Sequence, residues 1–131
     1  MAKYSSLVLE HFFNPRNTGE LANPDAEGTS GDPSGRNYMR ITLKVEGDRI
    51  TDIGFQSYTC LVAVAACSFL TEMVKGKTME EAESLTASTL ATGLGEVPEE
   101  RMDRCELAVE ALQNAMKDYR ARKKHKSREN L

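Results

Sequence analysis

Met39, Ile41, Leu43 and Val45 alternate with Arg40, Thr42, Lys44 and Glu46, the period-two pattern of a strand with one buried face. Gly47-Asp48 turns the chain, and Ile53 and Phe55 continue the alternation, so Met39 to Ser57 reads as an antiparallel hairpin. Immediately beyond it, Leu61 to Val74 is apolar on nearly every side and too long for one strand, and Lys75-Gly76 supplies the basic residue and the glycine of a helix end. A hairpin that leads into a helix needing cover on most sides narrows the fold class. The expectation is α+β: a small antiparallel sheet of about three strands including the hairpin, packed on one side by helices.

The remaining segments supply that cover. Leu7, Val8, His11 and Phe12 lie at helical spacing within Ser5 to Phe13, and Asn14-Pro15 stops the helix because proline lacks the donor and restricts its predecessor. Asn17 to Asn37 is rich in glycine, proline and small polar residues without periodicity and reads as a long surface loop. Thr78-Met79-Glu80-Glu81 fits a capping box that opens a short helix. Thr86 to Gly95 is weakly helical, with Gly93 and Gly95 as breakers. The last and longest helix, about Glu99 to Lys123, puts Cys105, Ala108, Val109, Leu112, Ala115, Met116 and Tyr119 on one stripe.

A chain of 131 residues can bury one core without disulfides or a structural metal, so one domain is expected over residues 1–119, followed by a flexible basic tail over 120–131. The charge is divided along this boundary. Six of the 17 basic residues but one of the 20 acidic ones fall in the tail, which leaves 11 basic against 19 acidic side chains in the body. An acidic body argues against nucleic-acid binding. No apolar run reaches the roughly 18 residues of a membrane span, and the start lacks a secretory pattern, so a cytoplasmic protein with no membrane partner is expected.

Three cysteines, spaced 7 and 38 residues apart, do not form a disulfide framework and leave free thiols or metal ligands. Phosphate-loop, nucleophile-elbow and zinc-protease motifs are absent, and no enzymatic activity is expected. His11 is placed at the boundary of its helix. Cys60 sits where the second strand ends and the apolar helix begins, and a helix N-terminus stabilises thiolate, the form that binds metal or attacks sulfur. A small buried core thiol is the other reading of Cys60, and both stay open. Cys67 lies two turns further on, about 10 Å away, too far to share one iron with Cys60. It is assigned to the core, and Cys105 is in phase with the apolar stripe of the last helix.

Tyr4-Ser5, His11-Phe12-Phe13-Asn14-Pro15-Arg16-Asn17-Thr18-Gly19, Phe55-Gln56-Ser57-Tyr58-Thr59-Cys60 and Thr71-Glu72-Met73-Val74-Lys75-Gly76-Lys77 follow one another in a specific order. With them the chain resembles, over most of its length, the IscU and NifU N-terminal scaffold family of iron–sulfur cluster assembly. That resemblance implies a cluster built on three cysteines, an aspartate and a histidine. Aligned on it, Gly31-Asp32-Pro33-Ser34-Gly35-Arg36-Asn37 puts Gly35 at the first cysteine and Asn37 at the aspartate. An ungapped match over Val97 to Cys105 puts Asp103 at the histidine and Arg104 at the third cysteine, with Cys105 one place later. Cys60 alone keeps its place. Glycine offers no ligand and a guanidinium repels iron, so at most a transient iron or cluster is expected, on Cys60 with Asp103 and Cys105.

The partners implied are a cysteine desulfurase and iron–sulfur acceptor proteins. Glu99, Glu100 and Arg101 replace most of the proline-rich stretch through which the family meets its dedicated chaperone, and handover through that chaperone is not expected. Three roles follow: an atypical assembly scaffold; a non-catalytic paralogue that binds or regulates the desulfurase or a client protein; and a sulfur acceptor carrying a persulfide on Cys60 beside Arg104.

Overall fold

The computed structural model describes residues 4–34, 37–57 and 60–129, the last four as backbone only. In chain order the elements are α1 (Ser6–Phe13), β1 (Ala26–Ser30), β2 (Met39–Glu46), β3 (Arg49–Gln56), α2 (Leu61–Val74), α3 (Met79–Glu83), α4 (Ala87–Leu94) and α5 (Met102–Glu129), with one turn of 3-10 helix over Glu99–Arg101 before α5. The strands form one antiparallel sheet in the order β1-β2-β3. This is the expected α+β class with a long C-terminal helix.

The hairpin forms as its alternation dictates: Met39, Ile41, Leu43 and Val45 point into the core, as do Ile50, Ile53 and Phe55 from β3. Ile41 pairs with Phe55 and Leu43 with Ile53, and Gly47 makes the turn at φ 64°, a conformation that costs glycine little. The outer edge of β3 is not left open. Phe55 N–H donates to Asn17 O and its carbonyl accepts from Gly19 N–H, while Ile50 N–H donates to Lys77 O, so two loops cover the edge.

Two segments differ from the sequence reading. The stretch read as a loop over Asn17 to Asn37 contains β1, whose inward residues are Ala26, Gly28 and Ser30. They are small because α5 crosses this strand closely: a Cβ built on Gly28 would lie 2.1 Å from the backbone nitrogen of Ala115. Gly93 does not break α4; it lies inside that helix, where a Cβ would meet the Phe69 ring at 2.6 Å, and Gly95 at φ 93° ends the helix.

The helices close the core as their caps and stripes direct. Ser5 caps α1 by accepting from Val8 N–H, and its hydroxyl donates to Leu94 O. Thr78 and Glu81 form the expected capping box. In α5 the stripe from Cys105 through Ala108, Leu112 and Ala115 to Met116 is buried against the sheet and α2, and the helix continues past the Lys123 end expected to Glu129. No helix among the described residues is long and apolar enough to cross a membrane.

Candidate functional site

The end of β3, the start of α2 and the start of α5 bring the chemistry together. Cys60 is the N-cap of α2 in extended conformation, and its sulfur accepts from Ala63 N–H at 3.3 Å, where an oxygen cap would sit. The thiol is partly exposed, whereas Cys67 and Cys105 are wholly buried. Of the three sulfurs, Cys60 alone is within reach of a partner.

The guanidinium of Arg104, in the first turn of α5, lies against the Cys60 sulfur, and this proximity is the chief cause that raises the arginine's pKa further, against the cost of its burial. Asp103 adds to it through an ion pair with the same guanidinium. The Arg104 side chain is 15% exposed and Asp103 is half exposed, so the pair stands at the rim of the site. Among the described residues, the buried Arg104 Nε finds no acceptor and the buried Ser57 hydroxyl and Asn37 Oδ1 find no partner. Such buried polar atoms are costly unless something satisfies them.

Cys105 points into the core, and burial, then the charges of Asp103 and Glu106, push its thiol up to about 11. Cys67 donates to Met39 Sδ at 3.5 Å, and burial raises its thiol far above the ordinary range, with the charges of Cys105 and Cys60 adding to the effect. Neither is a ready thiolate at neutral pH. Among the described residues no group of three His, Cys, Asp or Glu side chains is placed to hold a metal ion.

Of the residues singled out in the sequence, the structure thus brings Cys60, Asp103 and Arg104 together and turns Cys105 inward. Asn37 lies half-buried just before β2, and Gly35 lies outside the described residues. His11 departs from its expected place at a helix boundary: it is 2% exposed, with Nδ1 2.7 Å from Ser68 Oγ and Nε2 3.2 Å from Glu72. Its place in the helical pattern of Leu7, Val8 and Phe12 shows that it faces inward with Val8; the Ser68 and Glu72 partners, more than fifty residues away, have no local signal.

The arrangement supplies one accessible sulfur, a fixed positive charge in contact with it and one carboxylate at the rim. It can present one sulfur to a partner, balance the charge of an anionic sulfur, or lend Cys60 and Asp103 to a metal if the guanidinium moves aside.

Comparisons with known proteins agree on what the chain is similar to. The family described as NifU-like N terminal domain matches residues 3–126. "Iron-sulfur cluster assembly scaffold protein IscU 1" of Archaeoglobus fulgidus is 45% identical over 116 residues, covering 88% of this chain and 76% of the relative. The scaffold protein IscU of Aquifex aeolicus is 40% identical over 119 residues, covering 89% and 76%. The solved N-terminal part of a nitrogen-fixing NifU-like protein from Brucella abortus superposes with a TM-score of 0.71 over 89% of this chain and 94% of its own, at 20% identity, and so speaks for the fold alone.

Proposed function

Because the chain belongs to the NifU-like N-terminal domain family, we propose that it works in iron–sulfur cluster assembly as a protein of the scaffold type, taking sulfur from a cysteine desulfurase and passing iron and sulfur on to acceptor proteins. The observation that carries this reading is 45% identity to a named assembly scaffold across 88% of the chain, with Cys60 as its accessible sulfur at the N-terminus of α2. Iron is cargo here. It would be held by Cys60, with Asp103 as an oxygen ligand and Cys105 only after its side chain leaves the core.

Coordination chemistry limits how long that cargo stays. A two-iron cluster takes four protein ligands, usually thiolates, whereas this site offers one accessible thiol and a guanidinium in contact with it. Occupancy is therefore transient, completed by ligands from a donor or acceptor protein.

The test is reconstitution without oxygen, using ferrous iron, cysteine and a cysteine desulfurase, read by visible absorption and by iron per chain. Wild-type protein is expected to take up iron and Cys60→Ala to lose it. Wild-type iron no higher than that of Cys60→Ala overturns the scaffold reading.

The contact between Arg104 and Cys60, together with the burial of Cys105, favours a second reading: a non-catalytic member that binds or regulates the desulfurase or a client without carrying metal. It requires that wild type and Cys60→Ala bind a desulfurase or client alike while neither loads iron. Failure to bind either protein rules it out.

A further inference from the structure

The outward face of α5 carries a charge pattern that the fold and the site use only in part. Asp103, Glu106, Glu110, Gln113, Lys117, Arg120 and Lys124 are all exposed. They are spaced alternately three and four residues apart, the spacing that keeps side chains on one helical face. The stripe lies opposite the buried one of Cys105, Ala108, Leu112, Ala115 and Met116. Its first three members are acidic, its last three basic, and the neutral Gln113 stands at its centre.

Two explanations within the chain fall short. Acidic residues near a helix N-terminus and basic ones near the C-terminus complement the helix dipole, but that effect fades within the first and last turns. It accounts for Asp103 and leaves Glu110 and Lys117, in mid-helix, unexplained. Neither do the charges pair along the helix: Glu106 and Glu110 are like charges four apart, as are Arg120 and Lys124, an arrangement that costs an isolated helix stability. Within the chain Asp103 pairs with Arg104 and Arg120 with Glu83. Glu106, Glu110, Lys117 and Lys124 make no ion pair with any described residue.

A two-fold axis through Gln113 and Asn114 would set this stripe against itself with every sign matched. Asp103 of one copy then faces Lys124 of the other, Glu106 faces Arg120, and Glu110 faces Lys117, since the midpoints of the three pairs agree to within half a residue, about 0.8 Å along the helix. We propose that the exposed face of α5 is a homodimer interface, in which two copies of this chain pair their α5 helices antiparallel about Gln113. Such an interface is isologous, as two-fold dimers require, and wholly polar, so it is weak and sensitive to salt. It places the two Arg104 residues about 28 Å apart along the helix axis, given a rise of 1.5 Å per residue. The two Cys60 sites are therefore apart and share only Asp103, at the rim, with the interface, and because neither variant below alters Cys60, Asp103 or Arg104, iron loading and dimer formation are separate measurements.

The experiment is sedimentation velocity at low and high salt on wild type and two charge-reversed variants, Glu106→Lys/Glu110→Lys and Lys117→Glu/Arg120→Glu, each checked for helix content by circular dichroism. Wild type is expected to dimerise at low salt and dissociate as salt rises. Each variant alone is expected to be monomeric, because four of the six facing pairs become repulsive. Mixed in equal amounts the two variants should form a one-to-one heterodimer, because every facing pair is attractive again. The first variant leaves the Arg120 contact with Glu83 untouched, so its loss of dimer alone is informative should the second fold poorly. A monomeric wild type at low salt, a dimer indifferent to the first variant, or two folded variants that do not recombine would each overturn the proposal.

Discussion

His11 shows how one side chain ties two helices and makes the tie depend on pH. The Ser68 hydroxyl accepts from Arg16 N–H, which leaves its own proton to donate to His11 Nδ1, and Nε2–H then donates to Glu72. That arrangement needs neutral imidazole. Burial, then the nearby Arg16 charge, lowers the pKa of His11 from 6.5, with Glu72 and Glu10 opposing. The unfolded chain therefore binds a proton that the folded one resists, and the contribution of neutral His11 is present above pH 6.5 and lost as pH falls below it. Urea unfolding followed by circular dichroism should show stability dropping between pH 7.5 and pH 5.5. In His11→Asn, less stable at both values, the drop should be smaller; an equal drop would remove His11 as the titrating group.

At the scale of elements, β1 explains what the sequence hid. The hairpin and α2 were legible because Ile41, Leu43, Ile53 and the apolar run from Leu61 bury large side chains, which leave a periodic signal. β1 buries Ala26, Gly28 and Ser30, and small residues at this position are a consequence of how closely α5 approaches, a non-local cause with no hydrophobic signature. Asn17-Thr18-Gly19 likewise guards the edge of β3 through backbone groups alone, to which sequence periodicity is blind. The close approach is testable. In Gly28→Ala the new methyl group would meet backbone atoms of Ala111 and Ala115, which cannot swing away as a side chain can. We expect destabilisation at the upper end of the roughly 1–3 kcal/mol typical of overpacking, a fall in melting temperature of about 10 °C, with β1 lost before the hairpin. An unchanged melting temperature would mean that α5 rides higher on the sheet than the structure places it.

For the whole molecule, the sequence was informative about architecture and about Cys60, and less so about how its site is closed. The position of Cys60 at a strand-to-helix junction is local, whereas the contact with Arg104 joins segments 44 residues apart and depends on how α5 docks. That docking is complete well before the chain ends: Met116 is the last wholly buried residue and Tyr119 the last one packed against the core. Beyond it α5 is latched from outside, by Arg120 to Glu83 and by Arg122 to Asp118 and the carbonyl of Asp25. Exposed pairs of this kind each contribute about 0–1 kcal/mol. Truncation after Tyr119 should therefore leave a folded, cooperative domain whose melting temperature falls by only about 4–8 °C, with the same iron content after reconstitution as the full chain. The same truncation leaves the body with its full excess of acidic charge and removes Arg120 and Lys124 from the stripe on α5, so the shortened chain should be monomeric at salt concentrations where the full chain pairs. A truncated protein that unfolds would show instead that the outer turns of α5 hold the core closed, and one that still dimerises would move the interface away from this helix.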